Sequence, residues 1–306
     1  MMKVAILLAL VCASTAFFAE ERKPLITREN LEKVSSQATF ETYSYDEHPF
    51  KNWTEDEIKS MLGVKTFIPF NYNSELIEDN SDSLPANFDS RTQWPDCVHA
   101  IRDQGHCGSC WAFAASEVLS DRFCIASKGK TNVVLSPQDL VSCDKVDHGC
   151  NGGNPLFSWM HLWNKGIVSD ECMPYTSGDG KVEKCPSHCA NDNVEFNRYH
   201  AAGMPQMLNN NEQKIKESLF EHGPVETGFT VYEDFMSYKS GIYSHKSGKM
   251  LGGHAVKIVG WGEEEGVKYW IAANSWSEKW GENGFFRIQV GQCNFEGMAI
   301  AGLPKL

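Results

Sequence analysis

Gln104-Gly-His-Cys-Gly-Ser-Cys110-Trp111-Ala-Phe113 sets a cysteine at a sharp Gly/Ser turn that runs straight into a stretch reading as helix. Trp111, Ala114, Ala115, Val118, Leu119 and Phe123 form an apolar stripe at helical spacing, and Glu117 and Asp121 fall off it. Cys110 therefore stands at a helix N-terminus, where unpaired backbone N–H groups and the helix dipole favour an anion. A thiol there ionises more easily than a free one, and the thiolate is the nucleophile. Cys107 and Cys110 also have the spacing of a redox pair or of half a zinc site, so residues further along the chain must decide.

The deciding residues are His254 and Asn274. His254 lies in Gly252-Gly253-His254-Ala255-Val256-Lys257, where alternating apolar residues predict a half-buried strand with the histidine at its mouth. Asn274 ends a second predicted strand, Tyr269-Trp270-Ile271-Ala272-Ala273-Asn274, followed by Ser275-Trp276. An imidazole accepts the thiol proton and later returns it to a leaving amine. An amide oxygen on the other ring nitrogen fixes tautomer and orientation without adding charge. Gln104, six residues before the thiol, offers a side-chain NH₂ beside the Cys110 backbone N–H, the two donors that an oxyanion requires.

These residues, with His254 placed 144 positions after Cys110, resemble the papain-like cysteine peptidases, and among them the cathepsin B-like group. Leu84-Pro-Ala-Asn-Phe-Asp-Ser-Arg91, Cys150-Asn-Gly-Gly153, Gly223-Pro-Val-Glu226 and Asp234-Phe-Met-Ser-Tyr-Lys-Ser-Gly-Ile-Tyr243 carry the same resemblance. It extends from about Leu84 to the C-terminus and implies a cysteine peptidase that works through a thioester acyl-enzyme and is made as an inactive precursor, a non-catalytic binding protein on the same fold being the least favoured alternative. It calls for no metal and no cofactor. The partners it implies are protein and peptide substrates, the chain's own propeptide and cystatin-type inhibitors, with the enzyme a monomer.

The N-terminal region fits a precursor. Met1-Met-Lys3 and the apolar run Val4–Ala13 read as a signal peptide, with Ser14 and Ala16 at the cleavage point, giving residues 1–16. Ten apolar residues are too few for a membrane span, which needs about 20. Residues 17–83 form the expected inhibitory propeptide, and residues 84–306 the mature domain. Between residues 20 and 83 lie 14 acidic and 7 basic residues and no cysteine. Asn52-Trp-Thr54 is a glycosylation sequon usable in the secretory pathway, and Thr54-Glu-Asp-Glu57 with Ile58, Met61 and Leu62 predicts a short capped helix. Glu75 to Ser83 reads as an exposed linker suited to cutting. Protonation of these carboxylates in acid is expected to loosen the propeptide.

A net charge of −12 excludes a nucleic-acid binder and offers no basic patch to anionic membranes. Of eleven cysteines, Cys12 leaves with the signal peptide and Cys110 must stay reduced, so an odd nine remain. Sequence alone does not choose among their pairings. The resemblance implies Cys97–Cys124, Cys107–Cys150, Cys143–Cys185 and Cys172–Cys189, with Cys293 a buried free thiol. A zinc cluster of Cys172, Cys185, His188 and Cys189 is the alternative, disfavoured in the oxidising compartments, lysosome-like or extracellular, that a secretory precursor reaches.

Helical signals cluster early, at Cys110, at Ser136–Val141 and from Pro155 to Trp163. Strand signals cluster late, at Val225–Val231, His254–Trp261, Lys268–Asn274 and Gly284–Val290, with a helix over Glu212–Glu221 before them. The expected fold is α+β: a papain-like pair of lobes, helical on the left and β-rich on the right, with the site in the cleft between. Gly152 and Gly153 offer bare backbone for pairing with an extended peptide. Pro155 and Ala255 are further contact candidates, and Trp276 is expected to cover the His254–Asn274 bond and wall the leaving-group side. Two departures from the cathepsin B pattern matter. The Cys172–Cys189 span is short and contains His188 but no adjacent histidine pair to clamp a C-terminal carboxylate, which favours an endopeptidase over the alternative of a dipeptidyl carboxypeptidase. Register from Cys293 puts Met298 where an acidic residue would floor the S2 pocket, with Glu296 pointing elsewhere.

Overall fold

The computed structural model describes residues 23–65 and 84–306. The expected signal peptide at residues 1–16, Cys12 with it, and the linker Glu75 to Ser83 lie outside the described residues. The helices are α1 (Arg28–Gln37), α2 (Glu55–Ser60), α3 (Ser90–Gln93), α4 (Cys110–Ala126), α5 (Pro137–Cys143), α6 (Pro155–Asn164) and α7 (Glu212–His222). The strands are β1 (Glu41–Thr42), β2 (Phe88–Asp89), β3 (Gln206–Met207), β4 (Val225–Tyr232), β5 (Tyr238–Ser240), β6 (Ile242–Tyr243), β7 (Met250–Glu264), β8 (Val267–Ala273), β9 (Phe285–Gln289) and β10 (Ile300–Ala301).

Local chemistry sets the helix starts. Ser136 accepts the Asp139 N–H and precedes Pro137, while Asn154 accepts the Leu156 N–H and precedes Pro155. Both pairs combine a capping side chain with a proline whose missing N–H costs nothing in the first turn. Thr54 and Glu57 close a reciprocal capping box on α2, as its sequence predicts.

Helix α4 departs from its sequence reading. Glu117 and Asp121 are buried with the rest of it, because α4 lies between the other left-lobe helices and strand β7 and has no solvent face among its first four turns. Their charge is met by Lys257 of β7, whose Nζ is 2.8 Å from Asp121 and 3.6 Å from Glu117. His99 adds a ring contact to Asp121 at 2.6 Å. Deleting one partner of such a buried set costs about 3–5 kcal/mol, since the remaining charge has no water to turn to.

The larger sheet runs β3-β10-β4-β7-β8-β9-β6, with β2 also on β7, and is antiparallel except for β6 against β9. Strand β7 starts four residues before His254, so the histidine sits within the strand, not at its mouth. The cause is β4, which pairs Tyr232 with Met250, Val231 with Gly252 and Phe229 with His254. An aromatic core of Phe235, Tyr238, Trp270, Trp280 and Phe286 lies on the right, and Trp111, Leu119, Phe123, Trp159 and Leu162 form the left one. The four disulfides are those the resemblance implies, which removes Cys172, Cys185 and Cys189 from any zinc site. Cys293 is free but only partly buried, correcting the expected buried thiol: it sits in a tight turn at φ +53°.

The N-terminal segment packs along both lobes. Strand β1 pairs with β5, Ile58 and Met61 are buried, and the chain then enters the groove between α4 and β7 as extended backbone. Val64 N–H donates to the Gly253 carbonyl at 3.0 Å, Lys65 N–H to Gly153 at 2.9 Å, and Gly153 N–H returns a bond to Gly63 at 2.8 Å. One short run thus bonds to the backbones of both lobes. Gly63 makes this possible, because a Cβ there would overlap the Gly108 carbonyl, which is rigid backbone. Gly63→Ala is therefore expected to lift residues 63–65 out of the groove and speed amide exchange at Val64 and Lys65 roughly tenfold or more, the cost of overpacking a closed contact. Unchanged protection of those two amides, read by NMR or mass spectrometry, would show that the groove yields.

Candidate active site

Helix α4 brings Cys110, strand β7 brings His254, and the residue after β8 is Asn274. His254 Nε2 and Asn274 Oδ1 are 2.7 Å apart, and the same oxygen accepts the Ser275 N–H at 2.8 Å. An oxygen accepts only, so the imidazole carries its proton on Nε2 and its lone pair on Nδ1. That Nδ1 is buried and has no hydrogen-bond partner among the described residues. Ala255, next to the histidine, packs with Cys110, Ala114 and Val64, and its backbone N–H faces the Cys110 sulfur. The Trp276 ring lies 4.6 Å from the His254 ring and is itself buried, so it keeps water from the His254–Asn274 bond.

The sulfur and the imidazole are both held neutral here. Burial pushes the Cys110 thiol up to about 11, outweighing the N–H groups of Ala255, Gly63 and Trp111 that favour the thiolate. Burial pushes His254 down to about 4 against the opposing bond to Asn274. The helix terminus that predicts an easily ionised thiol is thus overridden by burial, even with Gly63 N–H on Sγ at 3.4 Å.

Gln104 is buried and its amide is held at both ends. Its Oε1 accepts the Ser275 hydroxyl at 2.6 Å, and its Nε2 donates to the Met61 carbonyl at 2.8 Å and to Cys107 at 2.7 Å. Ser275 is a positioning residue that the sequence reading passed over, its only signal being its place directly after Asn274.

The remaining candidates split into two groups. Gly152 and Gly153 border the extended N-terminal segment: Gly152 has φ +103° and would meet the Gly63 carbonyl if it carried a Cβ, and Gly153 is pressed on the Trp111 ring. Pro155 and Met298 share a small cavity with Leu156, Met207 and Ile300. Met298 sulfur sits 2.9 Å from where a Cβ on Gly228 would be, with Val64 beside it. Glu296 does turn away, accepting the Trp270 indole N–H at 2.8 Å and the Gly291 N–H at 2.9 Å. The four disulfide pairs brace this frame, and Asn52 is exposed on the N-terminal segment. Two buried carboxyls close by were assigned no role from sequence. Glu226 accepts the Trp159 indole N–H at 2.7 Å and is raised well above the carboxylate range by burial; Asp147, beneath Gly153, is raised to about 7 by burial, with Asp144 adding.

Comparison with known proteins agrees with this geometry. The profile described as "Papain family cysteine protease" matches residues 84–303. "Cathepsin B-like cysteine proteinase 4" of Caenorhabditis elegans is 40% identical over 84% of this chain and 87% of its own length. The "Gut-specific cysteine proteinase" of the same organism is 38% identical over 100% of both chains. Among solved structures, "proCathepsin B S9 from Trypanosoma congolense" superposes with a TM-score of 0.86 at 32% identity, covering 93% of this chain and 100% of that one. The proform of the ragweed pollen cysteine protease Amb a 11 gives 0.73 at 26% identity over 93% and 90%. A thiol on a helix end, an imidazole tied to an amide and this similarity over most of the chain lead to one conclusion: it belongs to the papain family of cysteine proteases and is a cathepsin B-like cysteine peptidase.

Proposed function

We propose that the protein is the precursor of an endopeptidase in which Cys110, His254, Asn274 and Gln104 are the catalytic residues. The observation that carries this reading is the His254 Nε2–Asn274 Oδ1 bond, which leaves an unpartnered Nδ1 lone pair to take the thiol proton. The thiolate then adds to the scissile carbonyl, and the oxyanion is held by Gln104 Nε2 and the Cys110 N–H. His254 returns the proton to the leaving amine, and water releases the acyl group from the thioester.

Residues 17–83 are the inhibitory propeptide in this account, and residues 84–306 the mature enzyme. Phe50 packs edge-on against Trp276, on the leaving-group side, whereas Gly63 to Lys65 lie at Gly153 on the acyl side. A substrate runs the other way, with its N-terminal part on the acyl side. In this reading the Met61 carbonyl, 2.8 Å from Gln104 Nε2, takes the place of the oxyanion, while the N–H that follows it, that of Leu62, donates to the Lys59 carbonyl at 3.0 Å. The propeptide fills the cleft without presenting a cleavable bond.

A signal peptide at residues 1–16, glycosylation at exposed Asn52 and the four disulfides support a secretory route to a lysosome-like vacuole or the extracellular space. A monomer that cystatin-type inhibitors recognise through the open cleft completes the reading. Cutting inside chains is favoured by the short Cys172–Cys189 loop, where His188 is exposed and has no adjacent histidine. Gly152 and Gly153 pair with the substrate backbone, Ala255 and Trp276 flank the histidine, and Pro155 with Met298 forms an uncharged S2 wall.

Activated enzyme should accordingly cut Phe-Arg substrates at least about tenfold better than Arg-Arg ones, since an unpaired buried guanidinium loses a few kcal/mol of hydration. Met298→Glu should narrow that ratio. Equal cutting of both by the wild type would show that another carboxylate, Glu226 first, reaches the pocket.

Acid should loosen the propeptide through a histidine as well as through its carboxylates. His48 is buried among Tyr43 and Phe50, accepts the Phe50 N–H at 3.0 Å, and is pushed down to about 4 by burial, with the Met236 backbone opposing. Because its docked pKa lies below the ordinary 6.5, the released segment binds more protons between these values, and docking weakens as pH falls from 6.5 to 4. Glu55, held low by Lys249 at 2.7 Å, acts in the same direction. His48→Phe should move the pH of half-maximal self-activation down by about one unit. An unmoved midpoint would assign the acid response to the carboxylates alone.

A further inference from the structure

The propeptide leaves one imprint that the catalytic reading does not use. Trp53 lies flat on His106, ring centroids 4.1 Å apart and planes 15° from parallel. Trp53 in turn packs edge-on against Phe50 at 5.0 Å, and Phe50 against Trp276 at 5.8 Å. Two propeptide rings, through three ring contacts, thus bridge the leaving-group half of the cleft from the left wall, His106, to the right wall, Trp276. We propose that His106 selects substrates with an aromatic side chain just after the scissile bond, by stacking on it once Trp53 has gone. This rests on the peptidase reading above and names a preference of the same site.

His106 is placed for that role by rigid backbone. Its N–H donates to the Gly178 carbonyl at 2.8 Å, and the next residue, Cys107, is tied to Cys150. Gly105 before it turns at φ +60° and leaves no room for a Cβ against Gly178. The ring is exposed even beneath Trp53, the indole it stacks on. It lies two residues after Gln104 and four before Cys110, so a peptide whose carbonyl reaches Gln104 carries its next side chains past it. A planar ring held at a fixed height favours a flat partner over an aliphatic one, because stacked aromatic pairs gain more than their buried area alone. The short Cys172–Cys189 span keeps its own histidine, His188, exposed.

The test uses activated enzyme and internally quenched peptides that differ only in Trp or Ala at the first or second position after the cut. Rates are expressed per site titrated with a thiol-alkylating epoxide, so misfolded protein does not count. Wild type is expected to favour Trp in kcat/KM by about 2- to 10-fold at one of the two positions. His106→Ala should bring Trp and Ala to within about twofold parity, and His106→Phe, which restores a flat ring, should recover the preference. Cutting with no aromatic preference in wild type, a preference that survives His106→Ala, or no recovery in His106→Phe would each overturn the inference while leaving the peptidase reading intact. A wild type that titrates with the epoxide but cuts none of the peptides would overturn both.

Discussion

The seam where helix α4 lies against strand β7 holds everything else in place. Cys110, Glu117 and Asp121 fall seven and eleven residues apart, two and three helical turns, and so share one face of α4. That face meets Ala255 and Lys257 on β7. The buried ion cluster fixes how the lobes meet, and three residues from Lys257 the same strand delivers His254. A charged clamp in a dry interface is a costly way to hold two lobes together, but it is specific: a slip of either element would strand a charge. The precise meeting of a thiol from one lobe with an imidazole from the other depends on that register.

The contacts that close the groove are largely main chain to main chain. Gly63, Gly108, Gly152 and Gly153 let backbones approach where any side chain would collide, and the bonds they make demand no particular side chain from the bound segment. In the proposed mechanism this lets one groove accept an inhibitory segment in one direction and varied substrates in the other. Side chains of the segment meet the walls at Leu62 on Gly252, Val64 beside Met298 and Trp53 on His106.

Much of the site was legible before the fold. The Cys110 turn, the His254 strand and Asn274 each carry local patterns, and their types alone define a proton relay. The lobes followed from segment order, and the disulfides from family resemblance. What failed to read were properties set by tertiary surroundings. Helical periodicity marked Glu117 and Asp121 as off the apolar stripe but could not show that a lysine 136 residues from Asp121 would cover them. The start of β7 depended on its partner β4, and the exposure of Cys293 on a left-handed turn. Ionisation depends on the same surroundings: a helix end favours a thiolate only where water or a counter-charge reaches it, and the seated segment buries Cys110.

The pH dependence of Cys110 alkylation, measured on the precursor and again after removal of the N-terminal segment, tests this account most directly. In the precursor the thiol should react only at alkaline pH, rising toward its buried value of about 11. After removal it should react fast from about pH 5 upward, with His254→Ala abolishing that acid-side reactivity, because the thiolate is then sustained by the imidazolium. An alkaline-only profile that persists after removal, or a low-pH reactivity indifferent to His254, would contradict it.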